Sequence, residues 1–166
     1  FRRDQHLGGF AHRHEIALVD VCVNTIGEIG ARAVWKTDTL RELYCTFAEP
    51  DAIGLSSIPG RILPTGRFAP NGVAVQFGPE PARTVLAPIA PGLIKTIPIA
   101  GAALIAPGET VELDASPCTV ALDGEREFEI LHPGHSLAVR LSPDGPNVVD
   151  VDAAILVMLL VAPGLL

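Results

Sequence analysis

Short strand patterns separated by turn residues recur through the second half of the chain, and this feature constrains the fold most. The turn dipeptides are Pro-Gly at 107–108, Asp-Gly at 123–124 and Pro-Gly at 133–134. Asp123 and Gly124 both tolerate the positive φ of a type I′ turn, so the pair predicts a β-hairpin. We expect strands at residues 94–99, 109–114, 119–122, 125–131 and 136–141.

The first half of the chain gives a less uniform pattern. Apolar, β-branched runs predict strands at 16–23, 31–35, 73–77 and 84–86, and residues 87–92 are expected to turn. Residues 37–46 suit either a helix or a strand, and that choice stays open. Residues 51–72 combine glycine, serine and proline with apolar side chains, which is typical of a loop close to a ligand or a partner.

The composition supports the same fold class. The 166 residues include 16 glycines and 15 prolines, and only 19% of them are charged, which favours many turns and short elements. We therefore predict a mainly β fold, a sandwich or two-sheet arrangement with one or two short helices. Residues 1–14 are expected to be a mobile or partner-docked leading segment, and residues 15–166 a single mainly β domain.

The net charge and the length of the apolar runs argue against nucleic-acid and membrane partners. The 12 basic residues against 19 acidic ones give a net charge of −7, without a basic cluster for a nucleic-acid backbone. The apolar run at 153–162 is too short to cross a bilayer, so we expect a buried C-terminal element and no membrane partner. The three cysteines lack metal-ligand spacing and indicate core residues of a reducing, cytoplasmic compartment.

The residues alone assemble no complete catalytic or metal site. Glu125, Glu127 and Glu129 alternate along one strand, and a solvated charge ladder explains them better than a metal cluster does. Ser56 and Ser57 lack the G-x-S-x-G spacing of a nucleophile elbow, and the surrounding glycines do not form a phosphate-binding loop. No catalytic residue, metal or cofactor follows from the pattern.

Five segments nevertheless resemble a known family. They are LVD at 18–20, GARAVW at 30–35, IGLSSIPG at 53–60, APIAPGL at 87–93 and ALDGERE at 121–127. Together they resemble the C-terminal half of the ATP-NAD kinase-like family, and within it the acetoin-catabolism X branch. The resemblance implies the β-sandwich-like C-terminal domain of the NAD kinase fold, which supplies dinucleotide contacts and oligomer surfaces beside an N-terminal α/β domain with a GGDGT motif. The 166 residues contain no GGDGT.

The resemblance also implies a set of ligand-binding residues. Asp20 would accept a hydrogen bond from a ribose hydroxyl, and the serines would donate to ribose or phosphate oxygens. Arg32 would pair with a phosphate, although a structural ion pair with a carboxylate such as Asp20 is the favoured explanation. The glycines would let the backbone approach the ligand, and Asp123 has either a ligand-binding or a purely structural role in its turn. The complete set is Asp20, Arg32, Gly54, Ser56, Ser57, Gly60, Gly92 and Asp123.

Two functions follow from the resemblance. In the first, the chain is the dinucleotide-binding and oligomerisation domain of an NAD-kinase-like phosphotransferase. It is inactive as a kinase alone, and it binds NAD, ATP or a diol together with the N-terminal domain. In the second, it is a regulatory or scaffold β-domain that keeps the fold without the activity. We also expect a homo-oligomer in the cytoplasm, because 48% of the residues are apolar, few are charged, and the apolar run at 153–162 needs a covering surface.

Overall fold

A computed structural model describes residues 14–27, 36–113, 117–131, 137–147 and 149–161. The described residues form ten strands, two α-helices and a 3₁₀ turn at Thr37–Thr39. The strands are β1 (Asp20–Thr25), β2 (Leu40–Cys45), β3 (Gly72–Gln76), β4 (Arg83–Ala90), β5 (Leu93–Ile99), β6 (Gly101–Ile105), β7 (Thr110–Leu113), β8 (Cys118–Leu122), β9 (Arg126–Ile130) and β10 (Leu137–Arg140). The helices are α1 (Ser57–Gly60) and α2 (Val151–Val161).

Six strands form one antiparallel sheet in the order β6-β3-β2-β1-β8-β9. Within it Cys22 of β1 lies opposite Leu43 of β2 on one side and Ala121 of β8 on the other. Strand β4 pairs with β5, and β7 pairs with β10, in two smaller antiparallel sheets. Sequence neighbours thus pair in the hairpins, whereas β1 joins segments that lie far apart in the chain.

Each face of the large sheet carries its own apolar cluster, because successive side chains of a strand point to opposite faces. On the first face, Cys22 and Leu43 share a buried cluster with Ile97 of β5, so the β4–β5 sheet covers this face. On the second face, Val23 shares a buried cluster with Leu113 of β7, so the β7–β10 sheet covers it. This layered, mainly β architecture with two short helices confirms the predicted fold class.

The hairpin predicted at 123–124 is confirmed. Asp123 has φ of +54° and Gly124 has φ of +63°, and the Glu125 N–H donates to the Leu122 carbonyl over 3.0 Å. Positive φ at both central positions is what a type I′ turn requires. On β9, which follows the turn, Phe128 and Ile130 are half-buried and the glutamates are exposed, as the alternating pattern predicted.

Other local predictions need correction. Residues 87–90 continue β4 instead of turning, and Gly92 then makes the turn to β5. The first strand begins at Asp20 and not at residue 16, because the backbone N–H groups of Leu18 and Val19 donate to the Asp123 carboxylate instead of to a strand ladder. Residues 37–46 form the 3₁₀ turn followed by β2, and β6 was not predicted. The strand predicted at 31–35 lies outside the described residues.

The expectation of a buried C-terminal element is wrong for this chain. Helix α2 forms, but Val151, Ile155, Leu156 and Val157 are 50–60% exposed. Neither helix in the described part of the chain could span a membrane.

Candidate functional site

Asp123 holds the segment that leads into β1. Its carboxylate accepts backbone N–H bonds from Leu18 at 2.9 Å, Val19 at 2.6 Å and Asp20 at 3.1 Å. In return the Asp123 N–H donates to the Asp20 carbonyl over 3.0 Å. Asp123 can turn its side chain toward these donors because it lies in the β8–β9 turn with positive φ, a conformation that aspartate tolerates. The contact joins residues about a hundred positions apart in sequence.

Two further side chains hold the same segment. Arg126, at the start of β9, forms an ion pair with Glu15 over 3.1 Å and donates to the Ile16 carbonyl. Thr46, just after β2, donates its hydroxyl to the Leu18 carbonyl over 3.0 Å. We call the contacts of Asp123, Arg126 and Thr46 with residues 15–20 the clasp. Arg126 and Thr46 were not predicted as site residues, because no local pattern marks a contact between distant segments.

Asp20 lies at the start of β1, at the edge of the first face. Its cross-strand partner is Cys45, and Cys22 follows it on the same face. Burial, and then the negative charge of Asp123, raises the pKa of the Asp20 carboxyl to about 6. Asp20 is half-buried, so its carboxylate keeps contact with solvent, and the structure shows no hydrogen bond to it from another described residue. Asp20 therefore keeps an acceptor that the fold itself does not use.

The cysteines of the same face behave as core residues. Burial raises the pKa of the Cys22 thiol to about 12 and that of Cys45 well above its usual range. The Cys22 sulfur accepts a hydrogen bond from the Asn24 side chain at 3.0 Å. Thiols in this environment are poor nucleophiles, because only the thiolate reacts readily.

The loop before α1 folds onto β4. Gly54 has φ of +99° and its N–H donates to the Pro88 carbonyl over 2.9 Å. The Ser57 hydroxyl donates to the Gly54 carbonyl over 2.6 Å, and Ser57 is fully buried. Ser56 is half-buried, and in the described structure its side chain makes no capping bond to α1. The structure thus brings Gly54 and Ser57 together, with Ser57 used inside the loop.

Glycine is required at positions 60 and 92 for different structural reasons. A Cβ atom on Gly60 would lie 2.2 Å from the Glu49 carbonyl oxygen, so this glycine permits two backbone segments to touch. Gly92 has φ of +74° in the β4–β5 turn, with open space where a side chain would stand. Gly60 therefore serves packing, and Gly92 serves a turn at the surface.

The predicted site residues form two groups. Asp20 and Asp123 touch at one end of β1, and Gly54, Ser57 and Gly60 line the α1 loop. Both groups adjoin the first face, since Cys45, the cross-strand partner of Asp20, shares a buried cluster with Ile58 of α1. Arg32 lies outside the described residues. Among those described, no group of three or more His, Cys, Asp or Glu side chains could hold a metal ion.

Comparison with known proteins places the chain in a family. The model of the family described as the acetoin catabolism protein X C-terminal domain matches residues 7–144. The chain belongs to this family. Acetoin catabolism protein X of Cupriavidus necator is 43% identical over 148 residues, which cover 88% of this chain and 40% of that protein. The family match confirms the predicted acetoin-catabolism X branch, whereas the wider link to ATP-NAD kinases stays a prediction.

The chain thus spans about two fifths of the length of the relative it matches. No solved structure matches this chain. All eight predicted ligand residues, from Asp20 to Asp123, lie inside the matched range of the family domain.

Proposed function

We propose that this chain is the dinucleotide-binding and oligomerisation domain of an NAD-kinase-like phosphotransferase of the acetoin-catabolism X type. The family match over residues 7–144 carries the proposal, together with the greater length of the relative. Phosphoryl transfer depends on positioning and electrostatics, so its parts can be divided between two domains. In this division the N-terminal α/β domain binds the phosphoryl donor, and the β-domain orients the second substrate.

Asp20 is the residue we assign to the ligand. A carboxylate is a good acceptor for ribose hydroxyls, and with a pKa of about 6 Asp20 is mostly ionised at neutral pH. Its burial destabilises the charged form, and a ligand hydroxyl would supply the hydrogen bond that the described residues do not. Ser56, at the edge of the α1 loop, is the serine we assign to ribose or phosphate oxygens, because Ser57 already donates within the loop.

The oligomerisation part of the proposal concerns the outer face of the β4–β5 sheet. Leu86 is 64% exposed and Ile94 is 67% exposed. Pro88 lies opposite Ile94 and two residues from Leu86, so the three side chains form one apolar strip. Contiguous exposed apolar surface of this kind is typical of protein interfaces. A Leu86→Lys variant should shift the chain toward the monomer in light scattering at micromolar concentration, and an unchanged mass would contradict the assignment.

The second candidate, a regulatory or scaffold β-domain, is favoured by one observation. The Ser57 hydroxyl and the Asp123 carboxylate already make hydrogen bonds within the fold, and Gly60 allows a close contact between two backbone segments. A domain with these internal contacts can keep its structure without binding a nucleotide.

Titration calorimetry with NAD and with ATP on the intact protein distinguishes the two candidates. The first predicts binding, and it predicts that Asp20→Asn weakens binding by about 10-fold or more through loss of one charged hydrogen bond. Glu129→Gln removes an exposed carboxylate on β9 and serves as the matched control, with unchanged affinity expected. Absence of NAD and ATP binding in a folded intact protein would favour the scaffold, and equal effects of the two variants would contradict the role of Asp20.

A further inference from the structure

Helix α2 presents apolar side chains on all sides. Ile155, Leu156 and Val157 are consecutive and are each 50–58% exposed. Consecutive positions of an α-helix differ by about 100° in direction, so these three side chains alone cover most of the circumference. The sequence is apolar at every position from 153 to 161. A helix that is apolar all round is a helix that folded proteins bury.

The start of α2 is specified by the sequence and does not depend on packing. The Asp150 carboxylate accepts the Ala153 N–H at 2.9 Å, and the Asp150 carbonyl accepts the Ala154 N–H at 3.0 Å. An aspartate at this position caps the helix, and its negative charge interacts favourably with the positive end of the helix dipole. Helix α2 can therefore form without being buried against the rest of this chain.

The β-domain does not use α2 for its core. Neither buried cluster contains a described residue of α2. The family domain match ends at residue 144, before the helix begins at Val151. By these two criteria α2 follows the β-domain and is not part of it.

We propose that α2 packs into an apolar groove on the part of the intact protein that this chain lacks, and so anchors the two parts together. The relative from Cupriavidus necator has most of its length outside the match, which provides such a partner. This inference rests on the proposed function only in requiring a longer protein, and not on nucleotide binding or catalysis.

Two other occupants fit α2 less well. Pairing with α2 of a second copy would bury one stripe of the helix and leave its other sides in water. A helix at a membrane surface has a polar face rich in lysine and arginine. Helix α2 has no basic residue, and Asp150 and Asp152 at its start would repel an anionic surface.

Hydrogen exchange of the backbone amides tests the proposal without any nucleotide. In the intact protein, amides 155–161 should exchange about 100-fold more slowly than in the 166-residue chain. Equal rates in the two proteins would overturn the proposal. Slow exchange in the 166-residue chain that depends on protein concentration would indicate that a second copy covers α2. Slow exchange only in the presence of phosphatidylcholine and phosphatidylglycerol vesicles would indicate a membrane surface. Either result would also overturn the proposal.

A pair of variants of the intact protein sharpens this test. Leu156→Asp should abolish the slow exchange of α2 while the amides of β1 and β8 keep theirs. Phe68→Asp, at a side chain that is 65% exposed in the loop after α1, is the matched control and should leave α2 unchanged. Because NAD binding is measured separately, a protein that binds no NAD but protects α2 would refute the proposed function and leave the anchor intact.

Discussion

Substitution of Asp123 tests whether the clasp stabilises the fold. Asp123→Gly removes the carboxylate but accepts the φ of +54° without strain. A hydrogen bond to a charged acceptor contributes about 1.5–3 kcal/mol. Three backbone donors share this one carboxylate, and Leu18 is 57% exposed, so we expect a total loss of about 2–4 kcal/mol in the free energy of unfolding.

Two further variants separate the carboxylate from the backbone. Asp123→Asn keeps an oxygen acceptor and tolerates positive φ, so it should cost about 1 kcal/mol. Asp123→Ala removes the acceptor and adds about 1–2 kcal/mol of left-handed strain, so it should be the least stable of the three. Urea denaturation at pH 7 measures the order Asn, Gly, Ala, and hydrogen exchange at Leu18 and Val19 reports the clasp directly. An Asp123→Gly protein as stable as the original would show that the clasp does not stabilise the fold.

Three other perturbations have defined outcomes. Because the folded-state pKa of Asp20 is raised to about 6, stability that is fully present below about pH 4 is lost as the pH rises through 6. Asp20→Asn should remove that decline and gain about 1–3 kcal/mol at pH 8 in urea denaturation, and an unchanged pH profile would contradict it. Gly60→Ala should cost about 2 kcal/mol or more because its Cβ meets a backbone oxygen at 2.2 Å, whereas Gly66→Ala, in open space, should cost under about 0.5 kcal/mol. Cys22 and Cys45 should resist iodoacetamide at pH 8 until urea unfolds the chain, and rapid native labelling would show that burial does not suppress their ionisation.

Local features of the fold could be predicted because local physical chemistry determines them. The turn at Asp123 and Gly124 follows from two residue types that tolerate positive φ, and the alternation on β9 follows from one solvated face. Strand β4 was cut short because Pro88 suggested a turn. In the structure Pro88 lies where the β4–β5 register shifts, and proline is acceptable at such irregular positions.

The candidate site could be predicted only in part, because its contacts join distant segments. The resemblance to a family suggested Asp20 and Asp123, but nothing in the sequence showed that the Asp123 carboxylate would meet the backbone of residues 18–20. The same clasp explains why β1 begins at Asp20. The backbone N–H groups of Leu18 and Val19 donate to the Asp123 carboxylate, so the strand ladder starts only after them. Arg126 and Thr46 could not be identified from spacing for the same reason.

Transfer of a phosphoryl group from ATP to NAD is the most direct test of the proposed function. The intact protein and the 166-residue chain should be assayed in parallel at equal concentration, with product separated by ion-exchange chromatography. We expect ATP-dependent phosphorylation of NAD by the intact protein and none by the 166-residue chain, because the proposed donor-binding domain lies outside that chain. Absence of transfer by a folded intact protein, or transfer by the 166-residue chain alone, would contradict the proposed function.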